Sequence, residues 1–193
     1  MNGLELFLTR YDRTTSMVPS MFADLSETQI RTAPHSGVNT LAWLAWHVSR
    51  VEDVGVNRLV VNEEQVFVRG SWAKRLRVSR CDFGTGMTAT EVSDLSTCID
   101  LEELLAYADA VTQRTQQVVL ALRPEDLDAT NDAAYVQHVV DQDHFVTEEA
   151  AWVPDYMHGQ PKGFFLAHLA LTHKFVHQGE ANAIRGLMGQ PGR

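Results

Sequence analysis

The chain has 193 residues, 45% hydrophobic and 21% charged, which fits one ordinary domain spanning residues 1–193 and excludes a disordered chain. Its 16 lysines and arginines stand against 25 aspartates and glutamates, a formal charge of -9 whose field repels polyanions, so no nucleic acid is expected as a partner. No apolar run reaches the roughly 20 residues a bilayer requires, and the start, MNGLELFLTRYDRTT, lacks a basic stretch followed by an apolar one, so a cytoplasmic chain with no membrane partner is expected.

A first helix is predicted over about Leu4 to Leu25, where Leu4, Phe7, Leu8, Tyr11, Thr15, Val18, Phe22 and Leu25 recur at three and four, with Pro19 bending or breaking it. After the turn-like APHSGVNT, Asn39 or Thr40 can cap a second helix, LAWLAWHVSRVEDVGVNRLVV, whose apolar side carries Leu41, Leu44, His47, Val48, Val51, Val54 and Leu59. From Asn62 to about Asp100 the periodicity is poor and Gly70, Gly84 and Gly86 collect, which reads as a long crossover with short helical turns. Its basic cluster KRLRVSR, Lys74 to Arg80, is too short to reverse the acidic balance and reads as a solvated stretch or a patch for a small anion.

Asp100 then opens a strongly amphipathic helix through Leu122, closed by Pro124. Residues Arg123 to Lys162 are expected to form an irregular insertion, in which AYVQHVV could be strand or helix and Pro154, Gly159, Pro161 and Gly163 break continuity. A last helix should begin near Phe164 and end at Gly189, with Pro191 beyond. Four long helices and one long connection predict an all-α four-helix bundle. The two cysteines, Cys81 and Cys98, lack CxxC spacing and read as reduced thiols.

Chemistry is concentrated in the histidines. His173 and His177 lie about 40° apart around a helix and about 6 Å along it, so both imidazoles can reach one ion, although the spacing alone also suits two solvated side chains. His47 lies on an apolar helix face beside Trp43, Leu44 and Val51, where an imidazole needs a partner. That partner is either a neighbouring hydrogen-bond group in the core or a divalent ion shared with the later pair, for which three imidazoles suit zinc or nickel and leave a position open for water or substrate.

His168 is left out of this set, being about 140° from His173 and about 180° from His177 on an ideal helix. His35, His138, His144 and His158 fall in loops or uncertain segments, where surface roles are expected; His144 and His158 could join only if the insertion folds over the site. Glu52, Asp53 and Glu180 could orient an imidazole through its second nitrogen, or serve simply as solvated charge, the commoner fate of such residues.

WLAWHVSRVED, from Trp43 to Asp53, followed much later by THKFVHQGEANAIRGLMG, from Thr172 to Gly189, resembles the DinB/YfiT-like superfamily of metalloenzymes; GTGMTATEV and LLAYADAVTQRT look like its members too. The resemblance covers nearly the whole chain. It implies an up-down-down-up bundle with the long crossover between helices two and three, and a divalent metal held by three histidines, which fall on His47, His173 and His177. The similar families include bacillithiol transferases and mycothiol-dependent maleylpyruvate isomerase. The resemblance therefore implies a transferase or isomerase of a small-molecule substrate that uses a low-molecular-weight thiol, and a possible homodimer. A metal-dependent hydrolase, with Glu180 or Asp53 accepting a proton, and a non-catalytic metal-binding stress-related bundle are the alternatives.

Overall fold

The computed structural model describes all residues, Met1–Arg193, and is all-α. The first arm is α1 (Gly3–Tyr11), a 3-10 turn at Asp12–Thr14, α2 (Met17–Phe22) and the short α3 (Glu27–Arg31). The second is α4 (Leu41–Asp53), prolonged by a π-helical segment, Val54–Val60. Short helices α5 (Val66–Arg69), α6 (Trp72–Leu76) and α7 (Ala89–Cys98) occupy the crossover, and α8 (Leu101–Ala121) is the third arm. After α9 (Ala133–Asp143) and α10 (Val153–Met157), the fourth arm runs from α11 (Lys162–Ala167) through a π turn, His168–Thr172, into α12 (His173–Leu187).

Side-chain pairings fix the directions of the arms. Asp53 accepts from Tyr107 and Asn57 accepts from Arg114, residue numbers that rise together, so α4 and α8 run parallel. Asn39 meets Glu180 while Gly55 abuts Leu169, so the fourth arm runs antiparallel to α4. Lys174 lies over the Tyr11 ring and Arg185 bonds the Met21 carbonyl, which sets the fourth arm parallel to the first. The result is the up-down-down-up order, with Asn62 to Asp100 as the crossover that two parallel helices require.

Several elements differ from the sequence expectation for identifiable reasons. The first helix is broken well before Pro19, at the 3-10 turn, where the Thr14 and Thr15 hydroxyls bond the carbonyls of Tyr11 and Asp12. In the supposedly irregular insertion, Asp132 caps α9 by accepting from the Tyr135 amide, so AYVQHVV is helix. Thr88 and Glu91 form a capping box that starts α7 inside the crossover. Thr40, not Asn39, caps α4, which leaves the Asn39 amide free for another partner.

The largest departure is α4 itself. Every residue from Leu41 to Asp53 is buried, so the helix has no solvent face for its polar residues. One apolar cluster gathers around Trp43, Trp46, Leu104 and Ile184, and another around Tyr11, Val51, Val119 and Phe165. Between them lies a polar layer. Arg50 donates to Gln65, Tyr107 and the Cys81 carbonyl, with its guanidinium over the Phe67 ring. Asp53 accepts from Tyr107, Asn57 and the amides of Val66 and Phe67. Glu52 accepts from Tyr11, from Thr115 at 2.8 Å and from Lys174 at 2.8 Å.

Lys174 and Glu52 are both buried, 3% and 1% exposed, so their pairing is shielded from water and salt. Lys174→Met is expected to lower stability by about 3–5 kcal/mol, because it leaves Glu52 buried without its cation. The double variant Lys174→Met with Glu52→Gln should regain part of that loss in urea denaturation; equal losses would show that the pairing is not what the single change removes.

Candidate metal centre

His47, His173 and His177 come together where α4 crosses α12, with one nitrogen from each within 4.8 Å of the others. The ring centroids lie 4.9 Å apart for His47 with either partner and 4.5 Å apart for His173 and His177. His47 is buried; the other two are half-buried and open the cluster to one side.

Each imidazole is oriented by its neighbours. His47 Nδ1 lies 2.5 Å from the Phe83 carbonyl, and a carbonyl can only accept, so the proton sits on Nδ1 and Nε2 is bare. The Trp43 ring stacks on His47 at 4.6 Å and 9°. Phe83 is delivered by a turn in which Asp82 accepts from the Gly84 amide. Gly84 has φ +85, and a Cβ there would lie 2.5 Å from Trp46, so both backbone and space call for glycine.

His177 Nδ1 lies 2.8 Å from Glu180 Oε2, three residues on, and Asn39 donates to the other Glu180 oxygen at 2.8 Å. His177 therefore also offers Nε2. Its distance to His173 Nε2 is 3.2 Å, close to the roughly 3.3 Å separating two ligands bound at about 2.0–2.1 Å around a tetrahedral ion. His173 Nδ1 is buried without a hydrogen-bond partner, so this one ring lacks an orienting group.

The electrostatics keep His47 and His173 in the form a metal needs. Burial pushes His47 down to about 4, and His173 is lowered too, by burial first and then by the neighbouring imidazoles. Glu180 is held below the usual carboxylate range, chiefly by its bond to His177. Burial thus favours neutral nitrogen donors at His47 and His173, beside one anionic carboxylate.

The other expected participants lie elsewhere. Glu52 and Asp53, read as solvated charges or imidazole partners, are neither: both are buried in the polar layer and bond no histidine. Burial raises the Asp53 carboxyl, and Arg50 only partly offsets it. His144 ends α9 in a left-handed conformation and lines a separate cavity with Arg50 and Cys81. His35 lines a cavity of about 720 Å³ beside α3 and α7 that contains none of the three histidines. His168 Nε2 faces the Tyr156 hydroxyl at 3.2 Å. Sequence reasoning missed Phe83, whose carbonyl carries no side-chain signal, and the link from Asn39 to Glu180, 141 residues apart.

Fold and site together define a helical-bundle protein with a three-histidine cluster between its second and fourth arms. The chain belongs to the DinB superfamily, whose family model matches residues 10–181. A conserved protein from Enterococcus faecalis, known from its crystal structure, matches with a TM-score of 0.71 and 16% identity, over 98% of this chain and 99% of that one; at that identity the likeness shows the fold alone. No curated protein matches the chain.

Because burial pushes His47 down to about 4, below its unfolded value of about 6.5, the stability it contributes is complete above that unfolded value and lost as pH falls through this window. Metal-free protein should therefore lose about 3 kcal/mol between pH 6.5 and 4 from this group. Denaturation midpoints measured across that range should fall less steeply in His47→Gln than in the wild type, the remaining slope coming from His173; parallel curves would show that His47 is not a titrating group.

Proposed function

We propose that the chain is a divalent-metal enzyme, with zinc or nickel held by His47, His173 and His177, that reacts a low-molecular-weight thiol with an electrophilic small molecule as a transferase or isomerase. The observation that carries the reading is the convergence of three imidazoles, with 3.2 Å between the Nε2 atoms of His173 and His177. Membership of the DinB superfamily supports metal binding. When bound at three protein ligands, such an ion supplies Lewis acidity that lowers the pKa of a thiol or water in its open position.

The chain's own residues hold that site in readiness. The Phe83 carbonyl and Glu180 keep protons on the Nδ1 atoms of His47 and His177, and Trp43 covers one face of His47. Hydrolysis has less support, because Glu180 is engaged by His177 and Asn39 while Asp53 is sealed against Arg50 and Tyr107. A purely structural ion would call for a fourth protein ligand, and the cluster supplies three.

The reading extends to the partners. The net charge of -9 supports a small-molecule substrate over nucleic acid, in the cytoplasm; no helix is long and apolar enough to cross a membrane. The outward face of α12 presents Phe175, Val176, Gly179, Ala183, Gly186 and Leu187 without a charge, a surface suited to a second copy of the chain. Val176→Glu should convert a sedimenting dimer to monomer; an unchanged sedimentation coefficient would place any contact elsewhere.

Metal content of untagged protein, purified without added metal, tests the site directly by elemental mass spectrometry. Near-stoichiometric zinc or nickel is expected in the wild type and its loss in His47→Ala, His173→Ala and His177→Ala, with Glu180→Gln weakening affinity about 10–100-fold. A folded wild type that stays empty when metal is supplied would end the enzyme reading. Metal-dependent hydrolysis that needs no thiol would replace it with the hydrolase.

A further inference from the structure

Three of the four tryptophans, Trp43, Trp46 and Trp72, are buried, while Trp152 is 59% exposed. It begins a run of aromatic contacts reaching from the insertion to the fourth arm. Trp152 meets Tyr156 at 6.2 Å, Tyr156 meets Phe164 at 5.6 Å, and Phe164 stacks on His168 at 5.2 Å and 19°. Tyr156 is itself 41% exposed, and Phe164 and His168 are half-buried. The Tyr156 hydroxyl and the His168 imidazole bond each other, while the Trp152 and Tyr156 rings leave aromatic surface exposed.

His168 stands on the same arm as His173 and His177, and the helical periodicity conceals how they are related. The His173 amide bonds the His168 carbonyl, five residues back, closing a π turn. On a regular α-helix the two positions would diverge by about 140°; the wider turn brings them toward one side of the arm. At its other end the insertion is tied to the His47 side. Phe83, whose carbonyl bonds His47, donates its amide to Phe145, and Glu149 packs on Gly86. The segment from Phe145 to Tyr156 thus runs from the support of His47 to the neighbour of His173.

We infer that Trp152, Tyr156, Phe164 and His168 form a subsite for a planar, electron-poor portion of the substrate, such as a conjugated or aromatic ring. Ring faces carry negative quadrupoles, so an electron-poor planar group stacks on them better than a saturated one of equal size. The same electron deficiency makes such a group open to attack by a thiolate, so the subsite rests on the thiol-transfer reading and names the substrate class it would take.

The test is calorimetric titration of metal-loaded protein with 1,3-dinitrobenzene, a planar unreactive probe, against nitrocyclohexane, a saturated counterpart, with metal content measured on the same samples. Trp152→Ala and Tyr156→Ala should each weaken dinitrobenzene binding about fivefold, the effect of losing one ring contact of about 1 kcal/mol. Tyr156→Phe should retain it, and all three should keep wild-type metal content and circular dichroism. No binding to wild type, equal binding to both alanine variants, or nitrocyclohexane binding as tightly as dinitrobenzene would each overturn the subsite. Protein that binds the probe through Trp152 yet holds no metal keeps the subsite and overturns the metalloenzyme reading instead.

Discussion

A helix buried on all sides has no water to answer its polar groups, and α4 carries His47, Arg50, Glu52 and Asp53 into that position. Much of the fold can be understood as the set of partners these four require. Asp53 draws in the amides that open α5 and the Tyr107 hydroxyl of α8; Arg50 draws in Gln65 and the Cys81 carbonyl. Glu52 ties α1, α8 and α12 to one carboxylate through Tyr11, Thr115 and Lys174. The crossover is therefore more than a connection, since its backbone supplies partners that the four arms lack.

The histidine cluster is seated by the same pairing of α4 with α12. His47 and Lys174 occupy neighbouring levels of the interface between α4 and α12, so the ion pair that sets how the fourth arm seats also sets where His173 and His177 fall. Gly55 lets the π segment of α4 approach Leu169 in the π turn of the fourth arm, where a Cβ would stand 2.8 Å from that side chain. Two helices that each widen by a π turn meet at this point. Such insertions shift the phase of every residue beyond them, which is how one arm brings His168 toward the side that carries the later pair.

The arms were legible in the sequence wherever burial is one-sided. The helix from Leu101 and the last helix carry apolar residues at three and four, and their observed limits, Ala121 and Leu187, lie within a residue or two of the expected ones. Periodicity failed in the crossover and the insertion because their helices are four to eleven residues long, too short to repeat a pattern, although the caps at Thr88 and Asp132 were there to be read. It also misread Glu52 and Asp53, since a charged residue signals a solvent face only when the helix has one.

By itself, the sequence determined the bundle class and, with the family pattern, the three histidines, because HxxxH spacing and a histidine on an apolar stripe are local properties of single helices. Only the tertiary structure decided which imidazole nitrogen each ring presents, through the Phe83 carbonyl and Glu180, and which charges are buried. It also decided that His168 turns toward an aromatic wall. These depend on contacts between segments far apart in the chain and on backbone hydrogen bonds that skip a residue, and neither leaves a mark in the residue pattern.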